Sequence, residues 1–203
     1  MSFDELGIEE NILRGVYAHG FEKPSQIQTL AIPKILEKKD LIAQAQSGTG
    51  KTGAFAIGAL CRIDPKKSET QLLVLVPTRE LADQVYLVIK DISSYTDTTS
   101  LKVIGGTNVS MCREDLLKKP HIIIGTPGRV LDMVQRRYLI TEYINNIVLD
   151  EADEMLSFGF KDSIHDIIQR MPKTSQICLF SATLPDDILE LTTKFMNEPE
   201  KVL

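Results

Sequence analysis

Six short apolar runs, each followed by a turn and then a helical pattern, constrain the fold of this chain most strongly. They are LIAQA (41–45), LLVLV (72–76), LKVIG (101–105), HIIIG (121–125), NIVLD (146–150) and QICLFSA (176–182). Continuous runs of Val, Ile and Leu are typical of strands covered on both faces, as in a parallel sheet. Amphipathic stripes lie between the runs: Leu81, Val85, Val88, Ile89 and Ile92 form one, and Ile164, Ile167, Ile168 and Met171 another. The alternation predicts an α/β fold, a doubly wound parallel sheet with helices on both faces.

No repeat, low-complexity tract or Gly/Ser linker interrupts this pattern, so the 203 residues are predicted to form a single domain. Two helical segments, around 8–18 and 25–37, precede the first strand, and the final KVL predicts a last short strand. Ligands in open α/β sheets bind outside the carboxyl ends of the strands. The turns after the six runs are therefore where functional residues are expected.

Composition excludes several other classes of protein. No apolar stretch approaches the ~18–20 residues that span a bilayer, and the acidic start MSFDELGIEE is unlike a signal peptide, so no membrane association is expected. The three cysteines are scattered and the three histidines isolated, which argues against a zinc site. The net charge of −5 gives no support to nucleic-acid binding through bulk charge. Any nucleic-acid site must depend on local geometry.

The segment AQSGTGKT (45–52) follows the first predicted strand and has the features of a phosphate-binding loop. Gly48 and Gly50 let the backbone wrap so that its N–H groups point at phosphate oxygens. Lys51 is predicted to reach the β- and γ-phosphates, and the Thr52 hydroxyl to bind Mg²⁺. The first position is Ala45 where the usual pattern has Gly, which a negative φ would accommodate.

The cluster DEADE (150–154) ends another predicted strand at the same sheet edge. Asp150 fits the acidic residue that holds the nucleotide's Mg²⁺, partly through water, and Glu151 fits a base that orients the attacking water. The alternative is a solvated helix start, where acids interact favourably with the helix dipole. That alternative explains one or two carboxylates, and less easily a strand end opposite a phosphate loop.

Motifs that the sequence lacks narrow the class of phosphoryl-transfer enzyme to which this chain could belong. A GTPase is expected to carry an Asn/Thr-Lys-x-Asp segment, and a small-molecule kinase an arginine-rich lid; the sequence shows neither. An ATP-driven motor remains, and the spacing alone does not say which kind.

Taken together, these residues resemble the DEAD-box RNA helicases over essentially the whole chain. GFEKPSQIQ (20–28) resembles the adenine-reading Q motif of that family, DEAD (150–153) is its naming motif, and SAT (181–183) resembles its coupling segment. The resemblance implies a RecA-like fold and a set of nucleotide contacts: Phe3, Phe21, Lys23, Gln28, Gln46, Ser47, Gly48, Thr49, Gly50, Lys51 and Thr52. It also implies that Ser181 and Thr183, flanking Ala182, bond back to Asp153 and relay the nucleotide state.

Three further segments resemble the family's RNA-contact motifs: PTRELA (77–82), GG (105–106) and TPGR (126–129). Thr78 and Thr126 are expected to cap helices whose free N–H groups face RNA phosphates. The RNA contacts implied are Pro77, Thr78, Arg79, Gly105, Gly106, Thr126, Pro127, Gly128 and Arg129. Backbone contacts of this kind predict sequence-independent RNA binding. For the arginines a surface salt bridge is the alternative, and for Arg79 an internal brace.

The resemblance implies a monomeric ATP- and Mg²⁺-dependent RNA helicase. Residues 1–38 are expected to form the Q-motif helical segment of a RecA-like domain that continues over 39–203, while the family's second RecA-like domain is absent. IAQAQSGTGKT, IGGTNV, RRYL and VLDEADEMLS are most like the translation-initiation subgroup, with Phe158 where that subgroup has Arg. This suggests initiation scaffold proteins as partners and a cytoplasmic location, with nuclear, mRNA-export, splicing or turnover relatives as alternatives.

Two competing functions are a P-loop ATPase acting on DNA or protein and a scaffold that binds RNA without turnover. Gln28 and TPGR argue against the first. An inactive scaffold is expected to lack Lys51 or Glu151, and both are present.

Overall fold

Seven parallel strands form the centre of the computed structural model, which describes residues 1–203. The strands are β1 (Leu41–Gln44), β2 (Leu72–Leu75), β3 (Ser100–Val103), β4 (Ile122–Gly125), β5 (Asn146–Leu149), β6 (Gln176–Ser181) and β7 (Glu200–Val202). Their order across the sheet is β3-β4-β2-β5-β6-β1-β7. Every residue of β2, β4, β5 and β6 is buried, as the continuous apolar runs predict. All six predicted strands and the short C-terminal strand are confirmed.

Nine helices cover both faces of the sheet, as the doubly wound prediction requires. They are α1 (Glu10–His19), α2 (Gln26–Leu36), α3 (Lys51–Leu60), α4 (Arg79–Ile92), α5 (Val109–Leu117), α6 (Pro127–Gln135), α7 (Ala152–Ser157), α8 (Lys161–Gln169) and α9 (Asp186–Phe195). A core of 30 buried residues joins α1–α4 to one face, and a core of 24 joins α5–α9 to the other. Strand β2 shows the division, because Leu72 and Val74 enter the first core while Leu73 and Leu75 enter the second.

The N-terminal segment 1–38 packs into the same core as the strands. Phe3, Ile12, Val16 and Ile27 all belong to the cluster that contains β1 and α3. Ser25 begins α2 with a capping box, in which its hydroxyl accepts from the Gln28 N–H and the Gln28 side chain accepts from the Ser25 N–H. None of the nine helices combines the length and apolar character that crossing a membrane requires.

The strand order divides the carboxyl edge of the sheet into two halves. The loops after β1, β6 and β5 lie side by side in one half, and those after β2, β4 and β3 in the other. The predicted phosphate loop, SAT segment and DEAD motif therefore share the first half. The predicted RNA segments share the second.

Candidate functional site

The phosphate loop connects β1 to α3 through two glycines with positive φ. Gly48 has φ of 81° and Gly50, which is the N-cap of α3, has φ of 91°, values that side chains other than glycine rarely adopt. Ala45 does not have a positive φ, so the Ala in place of the usual Gly requires no strain. Nearly all of α3 is buried, and its free N-terminal N–H groups face the loop. The local geometry is that of an anion-binding helix start.

Gln28 fastens the segment 20–28 to the phosphate loop. Its Nε2 donates to the Gly50 carbonyl over 3.0 Å, and its Oε1 accepts from the Ser25 N–H over 3.0 Å. The side chain is only 3% exposed. A Cβ on Gly50 would lie 2.7 Å from Ser25 Oγ and 2.8 Å from Gln28 Nε2, so glycine is required by this close approach as well as by its φ. The second amide hydrogen of Gln28 makes no hydrogen bond within the chain.

The aromatic residues of the N-terminal segment occupy two layers. Phe3 is completely buried, and its ring centroid lies 6.2 Å from that of Phe21. No face of Phe3 is open to a ligand, so the implied direct contact is corrected to support of Phe21 from behind. Phe21 itself is half-buried and Lys23 is exposed. Sequence alone does not separate a ring that meets a ligand from a ring that packs behind it.

Lys51 reaches across the sheet edge to the acidic cluster. Its Nζ lies 3.3 Å from Asp150 Oδ1 and in close contact with Glu151 Oε1, and its side chain is 6% exposed. Burial opposes the charge on Lys51, yet the neighbouring Asp150 and Glu151 carboxylates raise its pKa above the ordinary value. The phosphate-loop lysine and the two acids are thus brought together, as their predicted roles require.

Asp150 is a completely buried carboxylate without hydrogen-bond donors. Neither of its oxygens receives a hydrogen bond, since Lys51 is close enough to pair with Oδ1 but is not aligned to donate. Burial raises the pKa of Asp150 to about 6, against the opposing influence of Lys51. Buried carboxylate oxygens that receive no hydrogen bond are ligands that a hard divalent cation satisfies. Thr52, one residue after Lys51, has a hydroxyl that makes no hydrogen bond within the chain and fits the same cation.

Glu151 has a left-handed backbone, with φ of 54° and ψ of 49° at the N-cap of α7. A residue with a Cβ carries a cost of about 1–2 kcal/mol in this conformation. This strained turn changes the direction of the chain between the end of β5 and the start of α7. Asp150 therefore points into the site from the end of the strand. Ala152 is buried behind the turn, and Glu154 is an exposed acid of the first helical turn.

The SAT segment is bonded to Asp153, which confirms the predicted contacts of Ser181 and Thr183. The Asp153 N–H donates to Ser181 Oγ over 3.1 Å, and the Thr183 hydroxyl and N–H donate to Asp153 Oδ2 over 2.8 and 3.1 Å. Partial burial opposes the charge on Asp153, but the bonds from Thr183 and Ser181 hold its pKa below the usual range. This network spans the adjacent ends of β5 and β6.

In the other half of the edge, two arginines hold the loop after β3. Arg79 Nη1 donates to the Gly105 carbonyl over 3.2 Å, and Arg129 donates to both Oγ1 and the carbonyl of Thr107 over 3.0 Å each. Neither arginine forms a salt bridge, so the surface ion-pair interpretation is wrong and both positive charges stay uncompensated by an acid. For Arg79 the internal brace is confirmed.

The threonines and prolines of these segments differ in whether they cap a helix and in whether RNA could reach them. Thr78 Oγ1 accepts from the Leu81 N–H over 3.1 Å, as expected of a cap, whereas Thr126 occupies the N-cap of α6 without a side-chain bond. Thr126 is therefore the N-cap by position, as expected, but its side chain forms no capping bond, and Pro127 at the first helical position favours the start of α6. Pro127 is buried, and so is Pro77, which leaves their rings no exposed face for RNA.

Other predicted residues lie at the exposed surface of the two loops. In the phosphate loop these are Gln46, Ser47 and Thr49, with Thr49 Oγ1 donating to the Gln46 carbonyl over 2.7 Å. In the other half they are Gly106 and Gly128, with Gly105 partly exposed.

Sequence reasoning missed two side chains that hold the sites. Ser25 supports both Gln28 and the approach to Gly50, and Thr107 receives both bonds from Arg129. The capping-box spacing of Ser25 and Gln28 was the available signal for the first. Nothing in the sequence marks Thr107, because its partner Arg129 lies 22 residues away in the first turn of α6.

The chain matches the DEAD/DEAH box helicase family over residues 25–191. The ATP-dependent RNA helicase eIF4A of Neurospora crassa is 50% identical over 202 residues, which cover 100% of this chain and 51% of that protein. The protein of the same name from Lodderomyces elongisporus is 51% identical over 201 residues, covering 99% and 51%. The chain thus spans about half the length of these curated relatives.

Solved structures agree with the fold described above. A DEAD box protein from the hyperthermophile Methanococcus jannaschii superimposes with a TM-score of 0.96 at 37% identity, covering 100% of this chain and 55% of that one. S. cerevisiae Dbp5 bound to RNA and ADP BeF3 superimposes with a TM-score of 0.89 at 36% identity, covering 100% and 51%. The predicted RecA-like α/β class is confirmed.

Proposed function

Because this chain belongs to the DEAD/DEAH box helicase family, we propose that it is the ATP-binding first RecA-like domain of an ATP-dependent RNA helicase. The observation that carries the proposal is the convergence of Lys51, Asp150 and Glu151 from two strands separated by β6. A phosphate loop facing a buried, donor-free acid is arranged for phosphoryl transfer rather than for structural stability. The presence of all three residues also disfavours a scaffold without turnover.

In this proposal the nucleotide phosphates bind the loop 46–50 and take the ammonium of Lys51 away from Glu151. Asp150 and Thr52 hold Mg²⁺, which neutralises charge on the phosphate oxygens. Glu151 is then free to orient the attacking water as a general base. Phe21 and the remaining amide hydrogen of Gln28 face the adenine, with Phe3 supporting the ring from behind.

The loops after β2, β3 and β4 are proposed to bind an RNA backbone. The free charge of Arg79 and Arg129, the accessible glycines Gly105, Gly106 and Gly128, and the α4 N-terminus after Thr78 supply phosphate and sugar contacts. None of these groups reads a base, so binding is expected to be independent of sequence. The related Dbp5 structure holds RNA together with ADP BeF3, which supports an RNA site beside a nucleotide site.

A second RecA-like domain is proposed to complete both sites in the whole protein. The relatives are about twice as long as this chain, which leaves room for a domain of similar size. Arginines supplied across such an interface contribute about 10³–10⁵ in rate in related phosphoryl-transfer systems. The 203 residues alone are therefore expected to bind nucleotide weakly, hydrolyse it very slowly and unwind nothing.

The biological role proposed is translation initiation in the cytoplasm, with initiation scaffold proteins as partners. The identity of about one half to two eIF4A proteins supports this role over mRNA export, splicing or turnover. Restoration of cap-dependent translation in an extract depleted of its own factor tests the role. Failure there, with RNA-stimulated ATPase intact, would favour another pathway of the family.

Nucleotide binding by the chain itself is the direct test of the site. Titration with a fluorescent ADP and Mg²⁺ is expected to give saturable binding that Lys51→Met weakens at least tenfold, about 1.4 kcal/mol or more. Lys66→Met is the matched control, because Lys66 is exposed and forms no salt bridge. Equal affinities for the Lys51 variant and the control would contradict the phosphate role.

A further inference from the structure

Gln44, the last residue of β1, is bonded to the SAT segment by its side chain. Its Nε2 donates to the Ala182 carbonyl over 3.1 Å. Gln44 is exposed and lies outside every segment assigned above to nucleotide or RNA. The pairing of β1 with β6 ends where the backbone of Gln44 lies opposite that of Ser181. The side-chain bond to Ala182 therefore reaches one residue beyond the paired strands.

Each of the three SAT carbonyls accepts a hydrogen bond, and the three donors differ in kind. The Ser181 carbonyl accepts from the Ala45 N–H over 3.0 Å, and the Thr183 carbonyl accepts from the Ser181 hydroxyl over 2.6 Å. The Ala182 carbonyl alone accepts from a side chain of another element, Gln44. Past Ser181 the segment has left the strand ladder, so this bond fixes where the chain turns toward Asp153.

We propose that Gln44 is a positioning residue that ties the strand leading into the phosphate loop to the SAT segment. Strands β1 and β5 are not neighbours, because β6 lies between them. Besides the direct contact of Lys51 with Asp150 and Glu151, a change at the phosphate loop therefore has a second route to the acidic motif, through the end of β6. Gln44 holds Ala182, Ala182 lies between Ser181 and Thr183, and those two residues hold Asp153.

The isosteric variant Gln44→Glu isolates the donor, because a carboxylate cannot donate to a carbonyl at neutral pH. Gln44→Ala removes the side chain without adding charge. Gln135→Glu is the matched control: Gln135 is an exposed residue of α6, its side chain makes no hydrogen bond, and the charge change is the same. Loss of one hydrogen bond shifts a local equilibrium by about threefold to tenfold.

Amide hydrogen exchange of the 203-residue chain tests directly whether Gln44 positions the SAT segment, and it does not require the chain to be active. The Asp153 and Thr183 N–H groups, both bonded within the network, are expected to exchange about threefold to tenfold faster in Gln44→Glu and Gln44→Ala. The control should leave them unchanged. Unchanged exchange in both Gln44 variants, or equal acceleration in the control, overturns the proposal. If one variant does not fold, the other decides.

The consequence for turnover rests on the proposed function and is measured on the protein with its second domain attached. The kcat of RNA-stimulated ATP hydrolysis is expected to fall about threefold to tenfold in both Gln44 variants, with KM for ATP unchanged. Faster exchange with an unchanged kcat overturns the link to catalysis. If the unaltered protein shows no RNA-stimulated turnover, the proposed function fails while the exchange result still decides the position of Gln44.

Discussion

Replacing Gly53 with alanine tests whether contact between the N-terminal segment and α3 sets nucleotide affinity. Gly53 lies in the first turn of α3, two residues after Lys51. A Cβ there would lie 2.7 Å from Gln28 Nε2 and 3.1 Å from two ring carbons of Phe21. Both of these neighbours are proposed to face the adenine, so the added methyl group pushes on the nucleotide site without adding or removing a polar group.

The size of the effect follows from those distances. A contact of 3.4 Å is ordinary, so Gln28 Nε2 must retreat by 3.4 − 2.7 = 0.7 Å and the Phe21 ring by 3.4 − 3.1 = 0.3 Å. The first shift breaks the bond to the Gly50 carbonyl, a loss of about 0.5–1.5 kcal/mol. Alanine in place of glycine regains about 1 kcal/mol of helix propensity. Stability should therefore change by less than about 1 kcal/mol, while affinity falls about threefold to tenfold.

Gly58→Ala on the same helix is the matched control. Its Cβ would lie 2.9 Å from Cβ and Cγ2 of Ile35, a buried β-branched residue that has little room to move. Overpacking of this kind costs about 1–3 kcal/mol, of which the helix propensity of alanine returns about 1 kcal/mol, so the net loss is up to about 2 kcal/mol, and it lies away from the nucleotide. Urea denaturation and fluorescent ADP titration should thus separate the variants: Gly58→Ala loses stability, and Gly53→Ala loses affinity. Normal affinity in Gly53→Ala, measured on folded protein, would refute the proposed adenine contact.

Three further predictions address other parts of the molecule. In the protein with its second domain, Glu151→Gln should retain ATP and RNA binding but hydrolyse ATP at least 100-fold more slowly, roughly the contribution of a general base; normal turnover in a coupled assay excludes that role. Arg129→Lys keeps the charge but loses the paired bonds to Thr107, so RNA affinity by fluorescence anisotropy should fall about threefold to tenfold, and an unchanged affinity shows that the loop needs no brace. Burial and two nearby lysines lower the pKa of His165 from 6.5. Between the lowered value and pH 6.5 the unfolded chain therefore binds more protons than the folded chain, and the free energy of unfolding rises with pH. His165→Gln should flatten that rise when the free energy of unfolding is measured by urea titration across this range, and the same pH dependence in the variant contradicts the prediction.

Local patterns predicted the elements and the chemistry of this chain because both depend on neighbouring residues. Buried strands require continuous apolar runs, and a phosphate loop requires its glycines and lysine within eight residues. The pairing of Ser181 and Thr183 with Asp153 was predictable because it came with a recognisable motif. The strand order was not, since parallel strands of similar composition pair equally well in several orders.

The contacts between side chains that are distant in the sequence could not be predicted, for a different reason. Phe3 and Phe21 have the same chemistry, and only the packing of α1 decides which ring is covered. For Arg129 the predicted partners were RNA or an acid, and the brace to Thr107 that the structure shows was not among them. Long polar side chains have many rotamers of similar energy, so the tertiary structure selects among them.

The boundary between the two halves of the sheet edge is a single pair of strands, β5 and β2. They pair from Asn146 with Leu72 to Leu149 with Leu75, and the Asp150 N–H donates to the Leu75 carbonyl over 2.9 Å. The backbone of Asp150, the acid proposed to hold Mg²⁺, is therefore bonded to the last residue of β2. Three residues after that, Thr78 caps helix α4. Both strands are completely buried and paired along their length, so the ends of the two strands are held in a fixed position relative to each other. If the proposed sites are correct, ATP and RNA are linked within this domain by one strand pair, and a second domain need only close over both halves to respond to both ligands.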